Sequence, residues 1–289
     1  MRVFCRLNAS FLSLKKLTYP HKGEIIQNII INGYISMGTH QTLKSKTPKI
    51  YKSKKLNTAN FGNFNRSDYQ VFLHLITKIG GVDEKGKYLQ PDKLQREHVL
   101  TAKEYSDLFK IPLTHGYKML KASCEKLMKT DIKIERFEDG ELWQINVCSA
   151  AKYNKSQGMI TIQFTDTIMP YLAQVKAKFL LYNIKEIANF GSLYTTRLYE
   201  LIQEYKVTGW MEKPILDLRE SFAVGNKFKK YSDFKRYTFA HACKEINHNY
   251  PGIDLKFEEK KESRKVVAIK FIFNIVSDNP TPVIKTAPK

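Results

Sequence analysis

One order of local signals occurs twice in this chain, and no other feature constrains its fold as strongly. In the first occurrence Tyr69, Phe72, Leu73, Ile76 and Ile79 fall at helical spacing over residues 66–79, and Gly80-Gly81 ends the run. His98-Val99-Leu100 reads as a short strand. Thr101-Ala-Lys-Glu104 is a capping box that opens a helix to about Phe109. Pro112 breaks the chain, and Thr114 can cap a helix to about Met128 with Tyr117, Leu120, Cys124 and Leu127 on one face. Ile132 and Ile134 alternate, Glu138-Asp139-Gly140 turns, and Trp143, Ile145 and Val147 alternate back. A further strand carries Ile160, Ile162 and Phe164.

The second occurrence keeps that order. Residues 192–205 form a helix that buries Leu198, Leu201 and Ile202. Pro214-Ile215-Leu216 is a short extended piece, and Asp217-Leu-Arg-Glu220 is a second capping-box signature, opening a helix to about Phe222. Ser232 can cap a longer helix to about Asn249. Ile253, Leu255 and Phe257 then alternate, as do Val267, Ile269, Phe271 and Phe273 after a charged loop. Helix, short strand, helix, helix and hairpin is the winged-helix plan, a helix-turn-helix with a hairpin appended. The expected fold is therefore α+β, with two tandem winged-helix domains. Residues 61–164 and 165–276 are the two units, 1–60 a basic and flexible arm, and 277–289 a disordered tail.

Charge supports a polyanionic partner. The 289 residues hold 48 Lys and Arg against 28 Asp and Glu, a net charge of +20, which favours nucleic acid first and an acidic membrane surface second. No run of about 18 apolar residues exists, so an ordinary transmembrane helix and a membrane partner are not expected. The short patch Phe11-Leu12-Ser13-Leu14 runs into Lys15-Lys16 without a convincing cleavage site, which argues against secretion. Met37 is a possible alternative translation start. Cys5, Cys124, Cys148 and Cys243 form no disulfide framework and no zinc spacing, so a reducing cytoplasm is the expected location.

The third helix of each unit carries the candidate interface. Over residues 232–249, Phe234, Thr238, Phe239, Ala242, Cys243 and Ile246 form the buried stripe. Ser232, Arg236, Tyr237, Ala240, His241, Lys244 and Asn247 lie on or near the opposite side. Lys229, Lys230 and Lys235 crowd the N-terminal end, where the helix dipole also favours phosphate. The Arg236 guanidinium has the fork that fits guanine O6 and N7 in a major groove. The hairpin loop 259–264 adds Lys260, Lys261 and Arg264, with Lys265 beside it. The first unit offers a weaker footprint in Thr114, His115, Lys118 and Lys121, joined by Lys152 and Lys155 from a nearby loop. Its hairpin is acidic at Glu135, Glu138, Asp139 and Glu141, so protein contact rather than DNA is expected there.

Catalytic signatures are weak. Gly81 to Lys87 matches a phosphate-loop spacing, but Tyr88 replaces the Ser or Thr that would bind magnesium, and the stretch follows a helix. The seven histidines never form the His-x-His pair of a metal-dependent nickase, and GxSxG, HExxH and GxGxxG are absent. A binding protein without metal or cofactor is expected, and not an enzyme.

Particular strings point further. Thr165-Asp-Thr-Ile-Met-Pro-Tyr-Leu172, Arg197-Leu-Tyr-Glu-Leu201, Tyr231-Ser-Asp-Phe-Lys-Arg236 and Val267-Ala-Ile-Lys-Phe271 resemble the iteron-binding plasmid replication initiators over roughly residues 63–275. The resemblance implies binding to repeated origin sequences (iterons) and to an operator, opening of AT-rich DNA, and recruitment of host replication proteins including the replicative helicase. It also implies a dimer in equilibrium with monomer, formed through the first unit and repressing the chain's own gene. By position, Lys235, Arg236, His241 and Lys244 would read the repeat. Thr238 and Cys243 stand where relatives commonly have aliphatic residues, and Tyr237 where many have a basic one. A stand-alone winged-helix repressor is the alternative, with a nicking or ATP-driven replication enzyme behind it.

Overall fold

The computed structural model describes residues 49–79, 89–136, 141–172 and 179–275. The arm up to residue 48 with Met37, the Gly81–Lys87 stretch, the turn Glu138-Asp139-Gly140 and the tail 277–289 lie outside the described residues.

The described chain opens with β1 (Lys49–Ser53) and a short helix α1 (Lys55–Thr58). Ile50, Lys52, Leu56 and Asn57 are fully buried there, so the last part of the stretch expected as an arm up to residue 60 joins the core. Helix α2 (Arg66–Ile76) is closed at its start by a capping box between Asn65 and Asp68. Strand β2 (Glu97–Thr101) leads into α3 (Ala102–Phe109), where the expected Thr101–Glu104 capping box is present. Helix α4 (Leu113–Lys129) follows Pro112, which takes the cap position, so Thr114 lies inside the first turn and caps nothing.

Strands β3 (Asp131–Arg136) and β4 (Glu141–Asn146) pair as the sequence suggests, Ile134 opposite Trp143 and Ile132 opposite Ile145. They form a separate two-stranded sheet, however. The three-stranded sheet of this unit is β2-β6-β5, built with β5 (Cys148–Asn154) and β6 (Met159–Phe164). The wing of the first unit is therefore the β5–β6 hairpin, with Lys152 and Lys155 on it, and the acidic β3–β4 hairpin stands outside that sheet. Local alternation sets which strands can pair as neighbours, but not which sheet they join.

A short α5 (Met169–Leu172) precedes β7 (Phe179–Asn183), which pairs antiparallel with β1. Helix α6 (Leu193–Glu204) is capped by Ser192. Strand β8 (Trp210–Pro214) ends where an extended piece was expected to begin, and α7 (Ile215–Ser221) starts after Pro214, so Asp217 sits in its first turn instead of capping it. The third helix of this unit is two pieces, α8 (Tyr231–Tyr237) and α9 (Phe239–Asn249), with Lys230 rather than Ser232 at the start. The break is at Thr238, whose buried hydroxyl donates to the Phe234 carbonyl at 2.5 Å. The Thr238 amide donates to the same carbonyl, and a hydroxyl that competes for a ladder acceptor in this way bends a helix. Strands β9 (Ile253–Glu262) and β10 (Lys265–Ile275) complete the sheet β8-β10-β9, leaving only Ser263 and Arg264 in the turn. Lys260 and Lys261 thus lie on β9 and not in a loop.

Each unit packs its helices over its sheet, and the buried side chains form one continuous core. Phe239 anchors the second unit, with ring centroids 5.6 Å from Phe234, 5.1 Å from Phe257 and 6.0 Å from Phe271. The stripe Phe234, Thr238, Phe239, Ala242, Cys243 and Ile246 is buried as expected. Tyr117, placed with the buried face of α4 by spacing, is instead exposed.

Candidate nucleic-acid interface

In the second unit the bent helix α8–α9 presents Arg236, Tyr237, His241 and Lys244 to solvent, with Ser232 on its first turn. Together with Ser192, Tyr194 and Ala240 the first four line a groove of about 500 Å³. Tyr237 stacks on Phe228 with centroids 5.6 Å apart, and the Arg236 guanidinium lies 5.3 Å from the Tyr237 ring centroid. That contact limits the arginine's freedom before any ligand arrives. Lys229 and Lys230 are exposed at the helix start. The loop before them is held by Arg219, which donates to the carbonyls of Lys227 and Phe228 at 2.8 and 3.0 Å.

Lys235 has a different neighbourhood from its sequence neighbour Arg236. Its ammonium donates to Glu259 on β9 at 2.8 Å, and the Tyr231 hydroxyl donates to the same carboxylate at 2.7 Å. The hydrogen bonds from Lys235 and Tyr231 hold the Glu259 carboxyl below the usual carboxylate range. Lys235 therefore fastens the helix to the hairpin. Asn247, assigned to the open stripe by spacing, does the same at the other end: its side chain donates to the Leu255 carbonyl and accepts from the Leu255 amide, both at 2.9 Å. Glu245 accepts from the Gly191 amide and the Thr195 hydroxyl, which fixes α9 against α6. His241 approaches that carboxylate at 3.7 Å. Beyond the clasp, Lys260, Lys261, Arg264 and Lys265 are exposed along the hairpin end, with Lys261 at 3.9 Å from Glu259.

The first unit repeats the arrangement with fewer charges. Thr114, His115, Lys118 and Lys121 are exposed on α4, and Lys152 and Lys155 on the β5–β6 hairpin. Gly158 in that hairpin has φ of +59°, and a Cβ there would overlap the Tyr117 ring. The glycine thus lets the hairpin settle against α4. Gly116 serves the helix-turn-helix itself: a Cβ on it would overlap Ser106 Oγ and stand 3.0 Å from the Ala102 carbonyl.

Sequence reading missed one further group, buried where the two units meet. Arg197 on α6 donates to the carbonyls of Leu56, Asn57 and Ala59, ahead of α2, and of Ser221 at the end of α7. Glu200, one turn on, pairs with Lys52 at 2.6 Å and accepts from the hydroxyls of Tyr69 and Tyr182. Burial alone would raise the Glu200 pKa, but Lys52 and Arg197 outweigh it and hold the carboxyl below its ordinary value. Desolvation draws Lys52 down to about 8, with Glu200 opposing the shift. The available signal was a charged i, i+3 pair within an apolar helix face.

Two helix-turn-helix units with hairpin wings, each exposing cations on its third helix, define a tandem winged-helix DNA-binding protein. Sequence profiles agree: one described as "Initiator Replication protein, WH1" matches residues 49–203, and one described as "Initiator Rep protein, WH2" matches 214–273. The chain belongs to this family of replication initiator proteins. A curated "Replication initiation protein" of Escherichia coli is 22% identical over 177 residues, which take in 59% of this chain and 54% of that protein. The "PI protein" of Escherichia coli is 27% identical over 151 residues, 46% of this chain and 50% of that protein. The chain thus spans about half the length of the curated relatives it matches. A solved structure of the Pi initiator protein in complex with iteron DNA is similar over 81% of this chain and 99% of that one, with a TM-score of 0.64 at 23% identity, a likeness of fold.

Proposed function

We propose that this protein initiates plasmid replication by binding repeated double-stranded origin sequences, the second unit reading bases from α8–α9 and the first unit holding an adjacent segment more weakly. The observation that carries this is the exposed Arg236–Tyr237–His241–Lys244 surface, with Lys229 and Lys230 exposed at the helix start, where Lys229 lines a cavity with Arg264 and Lys265 of the cationic hairpin. A winged helix that enters a major groove offers this arrangement, base-edge donors at the centre and phosphate contacts around them. The family membership and the iteron complex of the similar Pi initiator favour iterons as the repeated sequence.

Affinity then has two parts. Lysines and arginines on both units neutralise phosphates and supply a salt-dependent, sequence-independent share. A few base contacts supply specificity at about 1–3 kcal/mol each. The resemblance extends the proposal to opening of AT-rich DNA, recruitment of the host helicase, and repression of the chain's own gene by a dimer.

Substituting Arg236→Ala should lower affinity for the repeat by roughly tenfold to a hundredfold while leaving binding to a scrambled duplex nearly unchanged. A plasmid carrying the gene and its flanking DNA should then fail to replicate. Equal loss on both duplexes would reduce Arg236 to a phosphate contact. Specific binding without any support of replication would favour the stand-alone repressor.

A further inference from the structure

The buried group at Arg197 does more than fill a core. All five N–H donors of its guanidinium have acceptors, and these belong to different parts of the chain. Nη2 donates to the carbonyls of Asn57 and Ala59 at 2.6 and 2.9 Å, and Nη1 to the Leu56 carbonyl at 3.2 Å and the Tyr69 hydroxyl at 2.7 Å. Nε donates at 2.9 Å to the Ser221 carbonyl, at the end of α7, the first helix of the second unit's helix-turn-helix. Glu200 completes the lock by accepting from Lys52 on β1 and Tyr69 on α2. A planar fork with five fixed donors holds two backbones at one distance and one angle, which a flexible ammonium cannot do. Tyr69 ties this point to α2 of the first unit and Ser221 ties it to α7 of the second, and α6, which carries Arg197 and Glu200, is fastened through Glu245 to the reading helix α9.

We infer that the Arg197–Glu200–Lys52–Tyr69 lock is a molecular ruler: it fixes the placement of the two reading helices and so sets the spacing between the two DNA segments the chain accepts. This rests on the two-unit DNA reading proposed above. Adding one base pair between the segments moves the second by about 3.4 Å and rotates it by roughly 34–36°. A rigid pair of readers cannot follow that change, whereas a loosened pair can. Arg197 is thus a positioning residue, remote from the DNA, that acts on specificity through geometry.

The test starts from a duplex selected by the full chain out of a randomised pool. Three derivatives are made: one base pair inserted between the segments, two inserted, and the segment of the second unit alone. The wild-type chain should prefer the native spacing over the one-pair insertion by about tenfold or more, the cost of losing the second reader. In Arg197→Lys, which keeps the charge and loses the fork, the preference should shrink to about threefold or less, with binding to the single segment unchanged. Tyr69→Phe, which removes one hydroxyl and no charge, should give an intermediate profile. A wild-type chain indifferent to the inserted pairs overturns the ruler whatever the variants do, as does an Arg197→Lys profile as steep as that of the wild type. If the selected duplex binds no better than its single segment, the two-unit reading itself fails, a result distinct from either.

Discussion

Among single residues, His74 gives the sharpest expectation. It lies on α2 against the Phe109 ring, almost fully buried, and its Nδ1 has no hydrogen-bond partner. Desolvation, assisted by the Lys78 charge, lowers its pKa to about 4. The unfolded chain takes up a proton near pH 6.5, which the folded chain refuses until about pH 4, so stability falls as pH drops through that window. Between pH 7 and pH 5 the loss should be roughly 2 kcal/mol from this residue. Urea unfolding at the two pH values should show it, and His74→Leu should remove that part. A smaller decline from His98 should remain, since burial lowers its pKa too. At this scale the sequence was legible where spacing decides. Arg236, His241 and Lys244 are open as the helical rhythm requires, but the same rhythm misplaced Asn247 and could not tell Lys235 from Arg236. Partners from other strands, Leu255 and Glu259, decided those roles, and no periodicity contains them.

For the elements, the order of signals predicted the two helix-turn-helix units and the second wing. It failed at the first wing for a physical reason. Strand β5 carries Cys148, Ala150 and Ala151 with a bulge after Cys148, so its alternation is faint. The β3–β4 hairpin has the stronger pattern and draws the eye. The correction moves the wing of the first unit from the acidic segment, where protein contact was expected, to the hairpin that carries Lys152 and Lys155. Capping boxes at Asn65 and Thr101 follow the sequence rule, while Pro112 and Pro214 take over the cap position where Thr114 and Asp217 were expected. The closeness of α3 and α4 rests on Gly116. Gly116→Ala should push Ser106 aside and strain the contact with the Ala102 carbonyl, costing about 1–3 kcal/mol in a urea unfolding titration. If Ser106 is the main obstacle, adding Ser106→Ala should recover part of that loss.

Over the whole molecule, the stretch read as an arm is the part most altered by the structure. Six of the residues 44–55 are lysine, which looks solvated in composition, yet Lys52 is buried against Glu200 and the following backbone feeds Arg197. A chain that starts at residue 61 would leave Arg197 buried without its three carbonyl acceptors at Leu56, Asn57 and Ala59, and Glu200 buried without Lys52. It should lose on the order of 3–5 kcal/mol relative to a chain that starts at Thr47, measured by thermal or urea unfolding of both. Equal stability would mean that the second unit satisfies those groups by itself. The pairing of β1 with β7 also has a consequence for biosynthesis. On the ribosome β1 leaves the exit tunnel long before its mate is made, and it must wait with Ile50 uncovered while the rest of the first unit folds behind it. Docking of this strand is a late, long-range closure, and a chaperone or protease that meets the nascent chain finds this segment uncovered.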